Sequence, residues 1–229
     1  MLPFAGGGAG QYHVWQAGLP AWIRIKPAHL RGREARMAER PFTSIAEHAR
    51  ELVVRDKLGL IDGPLVLFGQ SFGALVAYEL ASLLPRTAML VVVSSPPPDH
   101  PQRGVPLHRL PRELLASRLQ RIGAYPSSKE LFDLTEPALR ADLEACETYD
   151  RRRLSVLGCP VVAIAGTGDA IASPEVMLGW SRLSWAAFCL HAVPGGHFHA
   201  QDHRDRFLTL LAQVLAPLRN DAPETRVWA

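Results

Sequence analysis

Three residues in this chain have the types, and the order, needed to break an acyl bond. Ser71 sits between two glycines in Gly69-Gln70-Ser71-Phe72-Gly73, Asp169 closes Gly166-Thr167-Gly168-Asp169, and His197 follows Gly195-Gly196. A serine hydroxyl is a poor nucleophile until a base within hydrogen-bond reach takes its proton. That base needs an acid to fix its tautomer. Asp169 could also be read as a turn or helix-capping residue. His199 and His203 compete with His197 for the role of base, but His199 falls where the next helix should begin. A metal reading of His197, His199 and His203 finds no H-E-x-x-H and no cysteine or carboxylate at a fixed spacing.

The elements that would carry these residues alternate between strand and helix. Leu65, Val66, Leu67 and Phe68 read as a short buried strand, and the apolar stretch 74–81 reads as a helix. A serine in G-x-S-x-G at such a junction is the nucleophile elbow of an α/β-hydrolase. The glycines allow the tight turn, and the helix aims its first amides at any anion forming beside Ser71. The runs 88–93 and 160–165 are continuously apolar, as parallel strands covered on both faces are. Residues 187–193 read as a last strand and 207–218 as an amphipathic closing helix. Near the start, residues 2–5 read as a strand end opening into Gly6-Gly7-Gly8-Ala9-Gly10. This glycine run could cradle a phosphate, but no Lys-Ser/Thr follows it and no G-x-G-x-x-G phase fits well. Paired with the later elbow, it reads better as the source of an oxyanion-hole amide.

The intervening segments give further expectations. Residues 13–19 form a short helix over the glycine loop, and residues 22–25 form the next strand by their alternation. Residues 29–40 are an arginine-rich loop. Residues 44–58 are a helix capped by Thr43 or Ser44, with Ile45, Ala49, Leu52 and Val53 on one face. Residues 176–183 are a helix. From Pro111 to Tyr149 the pattern is helical, preceded by a proline-rich break, and Thr135-Glu136-Pro137 is expected to start a separate last helix. The expected organisation is a mostly parallel central sheet flanked by helices. Its α/β-hydrolase core comprises residues 1–96 and 151–219, its helical lid insertion residues 97–150, and its frayed tail residues 220–229.

The composition suits an ordinary globule: 229 residues, 48% hydrophobic, mean hydropathy near neutral, net charge +3. No run is long and apolar enough to span a membrane, and the N-terminus lacks a secretory pattern. The three cysteines, Cys146, Cys159 and Cys189, fit a reducing compartment, so the expected location is the cytoplasm. Arg31/Arg33/Arg36 and Arg151-Arg152-Arg153 are basic clusters, read first as solvated surface and second as a docking patch for an acidic protein or a phosphate. No aromatic residues interleave with them in the way nucleic-acid binding would require.

Taken together, these pieces resemble a type II thioesterase of polyketide and nonribosomal peptide assembly lines. The resemblance rests on Leu2-Pro3-Phe4-Ala5-Gly6-Gly7-Gly8, Leu30-Arg31-Gly32-Arg33-Glu34-Ala35-Arg36, Phe68-Gly69-Gln70-Ser71-Phe72-Gly73-Ala74, Ser94-Ser95-Pro96-Pro97-Pro98, Leu139-Arg140-Ala141-Asp142-Leu143, Gly166-Thr167-Gly168-Asp169 and Gly195-Gly196-His197-Phe198. It implies a mobile lid and an enzyme that clears stalled or aberrant acyl groups from the phosphopantetheine arm of acyl or peptidyl carrier proteins. Ser71, Asp169 and His197 would be catalytic. The backbone N–H groups of Phe72 and Ala5 would hold the oxyanion, with Phe4 as the fallback for Ala5. No cofactor, metal, nucleic acid or membrane is expected, and the protein is expected to be a monomer.

Two departures from the family pattern stand out. Gln70 occupies the position before the nucleophile where the family usually has histidine; it can hydrogen-bond but not titrate. The chain also begins almost inside the glycine-loop motif, so either the first strand is trimmed or the native start lies upstream. A trimmed strand would leave a sheet edge poorly covered. The alternatives are an acyltransferase or releasing cyclase using the same triad, and a dormant module that only binds carrier proteins.

Overall fold

The structure, a computed structural model, describes residues 1–101, 105–150, 152 and 154–219. The expected fray of residues 220–229 lies outside them. Four strands, β1 (Leu65–Gln70), β2 (Thr87–Val93), β3 (Val161–Gly166) and β4 (Phe188–Val193), form one parallel sheet in the order β1-β2-β3-β4. β2 and β3 are buried almost throughout, which is why they read as unbroken apolar runs.

Helices cover both faces. They are α1 (Gly10–His13), α2 (Ile45–Arg55), α3 (Phe72–Leu83), α4 (Arg112–Arg121), α5 (Lys129–Glu147), α6 (Pro174–Met177), α7 (His199–Asp202) and α8 (Arg204–Leu215). α2 and α3 pack on one face with Leu67, Leu90, Val92 and Ala163. Tyr12, Trp15 and α8 pack on the other with Phe68, Val91, Val93 and Ile164. The segment expected as a helix at 176–183 is α6 followed by a 3-10 stretch, Leu178–Leu183.

The expected first strand is reduced to one parallel bridge between Leu2 and Gly69, made by Leu2 N–H to Phe68 O and Gln70 N–H to Leu2 O. Beside it the edge of β1 opens on a cavity of about 630 Å³, lined by Leu2, Ile23, Leu65, Phe68 and Leu215 among others. None of Ser71, Asp169 and His197 lines it. The expected strand at 22–25 is absent. The Gln16 side chain accepts from Ile25 N–H and donates to Ile23 O, meeting the backbone's hydrogen-bonding needs without a ladder.

Between β2 and β3 the described residues form helices and no strand. The break expected at Pro137 does not occur: α5 runs through it. A proline inside a helix removes one backbone hydrogen bond and crowds the preceding turn. Burial on both sides offsets this cost. Phe132 and Leu139 pack with Leu115 and Leu119 of α4, while Ala145 joins the core against α3. Ser128 caps the helix start by accepting from Leu131 N–H.

Candidate active site

β1 ends at Gln70 and α3 begins at Phe72, so Ser71 alone makes the turn, with φ 53° and ψ −120°. For a residue with a side chain this conformation costs about 1–3 kcal/mol. It persists because its surroundings leave no alternative. A Cβ on Gly73 would lie 2.4 Å from Leu2 O, and one on Gly69 would lie 2.1 Å from Gly73 O. Ser71 N–H donates to Val93 O at 2.9 Å, tying the turn to β2.

His197 Nε2 lies 3.1 Å from Ser71 Oγ, and His197 Nδ1 lies 2.9 Å from Asp169 Oδ2. The second oxygen of Asp169 accepts the N–H groups of Ile171 and Ala172. Burial pushes the Asp169 carboxyl upward, but the hydrogen bond and charge of His197, with those two amides, outweigh it. Its pKa stays below the ordinary carboxylate value. An ionised Asp169 only accepts, so it draws the proton to His197 Nδ1 and leaves Nε2 free to face the serine. The three residues named from sequence are therefore brought together, from the ends of β1, β3 and β4. His199 is not part of this set. It is buried against Phe207, and burial lowers its pKa to about 4. His203 is exposed.

The N–H of Phe72, at the start of α3, and that of Ala5 bond to no other group among the described residues. Both are thus free to receive an anion. Phe4 packs edge-on against Phe198, the residue after His197, with centroids 5.0 Å apart. Four other amides of the glycine loop are occupied, Gly7 N–H by Phe4 O. Gly6 N–H donates to Asp142, and the N–H groups of Ala9 and Gly10 donate to the Glu34 carboxylate, each at 2.8 Å. Amides held by carboxylates cannot cradle a phosphate, and the Asp142 and Glu34 charges beside them would repel one, which argues against that reading of the glycine run.

No role is expected from sequence for Asp142 or Glu34, although both lie in motifs quoted above. The first arginine cluster also differs from both readings given for it. Arg33 is 3% exposed and forms a two-pronged ion pair with the fully buried Asp142. Arg36 binds Glu39 and Glu51, and Arg31 binds Glu51. A carboxylate on the apolar face of a helix, three residues after Leu139, was the available sign that a buried cation had to meet it. Of the second cluster, Arg152 is exposed and pairs with Asp150; Arg151 and Arg153 lie outside the described residues. No three metal-ligating side chains converge among the described residues, and no helix there is long and apolar enough to cross a membrane.

A parallel sheet with a strained serine between strand and helix, and a glycine loop beside it, defines an α/β-hydrolase. The chain belongs to the thioesterase domain family, which matches residues 1–215, and is a hydrolase acting on thioesters. It is 32% identical to Thioesterase PikA5 of Streptomyces venezuelae, over 99% of this chain and 83% of that protein. It is also 32% identical to Linear gramicidin dehydrogenase LgrE of Brevibacillus parabrevis, over 93% and 85%. Among solved structures it resembles the RedJ thioesterase from the prodiginine biosynthetic pathway in Streptomyces coelicolor. That match has 31% identity and a TM-score of 0.85, covering 93% of this chain and 87% of that one.

Proposed function

We propose that this protein is an editing thioesterase that hydrolyses stalled or aberrant acyl groups from the phosphopantetheine arm of acyl or peptidyl carrier proteins. The observation that carries this reading is the continuous relay from Ser71 Oγ through His197 to Asp169, at 3.1 and 2.9 Å. Similarity to the RedJ thioesterase of the prodiginine biosynthetic pathway and to a probable cadicidin biosynthesis thioesterase of Streptomyces griseus supports the choice of substrate.

In this reading His197 Nε2 takes the Ser71 proton as Oγ attacks the thioester carbonyl. The negative charge that forms on the carbonyl oxygen is received by the N–H groups of Phe72 and Ala5. Collapse breaks the carbon–sulfur bond, and the pantetheine thiol leaves with the proton held by His197. Water then gives a proton to His197 and attacks the acyl-serine. The second tetrahedral species releases the carboxylic acid and restores Ser71. Asp169 stays ionised and stabilises the imidazolium in both halves.

The test is incubation with an acyl-loaded carrier protein, followed by intact mass. The wild type should remove the acyl group and Ser71→Ala should not. A carrier that keeps its acyl group with the wild type would sink the reading. Transfer of the acyl group to an amine or alcohol in preference to water would replace it with an acyltransferase.

A further inference from the structure

Residues 4–7 form a tight turn in which Gly7 N–H donates to Phe4 O at 2.9 Å. Its third residue, Gly6, has φ +74°, as the third position of a type II turn requires. The central peptide of such a turn, here between Ala5 and Gly6, can face either way, and glycine permits both. Asp142 selects one, because its Oδ2 accepts Gly6 N–H at 2.8 Å. The opposite orientation would turn the Ala5 carbonyl toward the same carboxylate.

Asp142 is itself held in place. Arg33 grips both its oxygens, at 2.7 and 2.8 Å, and also donates to Gly7 O at 3.1 Å. The guanidinium cancels a negative charge that would otherwise oppose an oxyanion forming nearby. On its other side Asp142 faces His48, 3.8 Å away, whose ring packs edge-on against Phe72. Leu139, one turn before Asp142, lies against the turn as well: a Cβ on Gly6 would be 3.1 Å from Leu139 Cβ.

We propose that Asp142, fixed by Arg33, is a positioning residue: by fixing the Ala5–Gly6 peptide it holds the turn whose preceding peptide, Phe4–Ala5, carries the Ala5 N–H, so that α5 shapes the oxyanion hole. This rests on the reading of Ser71 as nucleophile and Ala5 as second donor. A small acyl thioester serves as the probe substrate, and rates are expressed per Ser71 titrated with a serine-directed phosphonate. That normalisation removes molecules lost to misfolding. Two variants are compared. Asp142→Asn keeps the shape but leaves Arg33 buried without a charge partner. The double variant Arg33→Met/Asp142→Leu replaces the buried pair with apolar groups, which proteins often tolerate without loss of stability.

In both variants kcat per titrated site should fall on the order of 10- to 100-fold, as misplacement of an oxyanion donor does. KM and the pH midpoint of kcat should stay where the wild type has them. Arg33→Lys, which retains a cation beside Asp142, should lose less than Asp142→Asn. A double variant with wild-type kcat per site, or one in which only KM rises, would overturn the proposal while leaving the Ser71 mechanism intact. An inactive wild type would instead remove the reading on which it rests.

Discussion

Gln70 and Gln201 face each other through two reciprocal amide hydrogen bonds, 2.9 and 2.7 Å long. Gln70 is fully buried, directly before the nucleophile. Gln201 also donates to Gln11 Oε1, and Gln11 donates to Gly8 O. The chain of amides thus links the elbow, α7 and the glycine loop, and it reaches neither Ser71 Oγ nor the His197 ring. This gives Gln70 an architectural role where the resembling family usually has histidine. Gln201→Ala should leave the Gln70 amide buried and unpaired, costing about 1–3 kcal/mol in urea unfolding. Its kcat should change by less than about threefold, since no partner of the reacting atoms is removed. A larger kcat loss without destabilisation would contradict this.

Asp169 can be tested by a change that preserves shape. In Asp169→Asn the side-chain oxygen can still accept from Ile171 and Ala172, while the amide nitrogen faces His197 Nδ1 and forces the wrong tautomer. kcat should fall about 10³- to 10⁴-fold, with a melting temperature close to the wild type's. Near-normal turnover would show that the His197 tautomer is set by something else.

His199 gives the fold a pH dependence that is separate from catalysis. Its pKa drops from 6.5 to about 4 on folding, chiefly by burial, against the opposing pull of Asp169 and Asp202. Between those values the unfolded chain takes up a proton that the folded protein refuses. Stability should therefore be flat above about pH 6.5 and decline toward pH 4, by up to about 3 kcal/mol. Asp169 acts in a lower window: its folded pKa lies below the ordinary 3.8, so its contribution is lost only as pH falls further. Denaturant unfolding from pH 4.5 to 7.5 should show the slope in the wild type and a flatter profile in His199→Phe. Equal slopes would rule His199 out as the source.

Gly73→Ala tests the closeness of the elbow to the bridge at Leu2. The added methyl would meet the carbonyl oxygens of Leu2 and Pro3 at 2.4 and 2.5 Å. Backbone must move, so stability should fall by about 3 kcal/mol, and kcat should fall with it because Ala5 lies two residues beyond Pro3. A variant as stable and active as the wild type would show that the elbow and the bridge can separate freely.

What could be read from the sequence followed the reach of each interaction. β2 and β3 announced themselves because both their faces are buried, and Ser71, Asp169 and His197 because each follows a strand in a glycine-marked turn. Interactions between distant segments left weaker traces. Arg33 meets Asp142 across 109 positions, so nothing near Arg33 marked it as buried, and the apolar helix face around Asp142 was the one local sign of the pair. The alternation at 22–25 imitated a strand, but the Gln16 side chain satisfied those backbone groups instead. Pro137 carried a strong local stop signal, and packing on both halves of α5 overrode it.

The division of α5 between two packing clusters bears on re-engineering. Its first half, with Phe132 and Leu139, belongs to the cluster around α4. Its second half, with Ala145 in the main core and Tyr149 just beyond bonded to Glu79 of α3, is anchored to the sheet scaffold. A graft that exchanged the whole insertion to alter acyl-chain preference would carry away a structural member of the recipient's own scaffold. The buried part packed on α4 extends to Leu139, and a donor segment joined just after it would inherit Asp142 from its host.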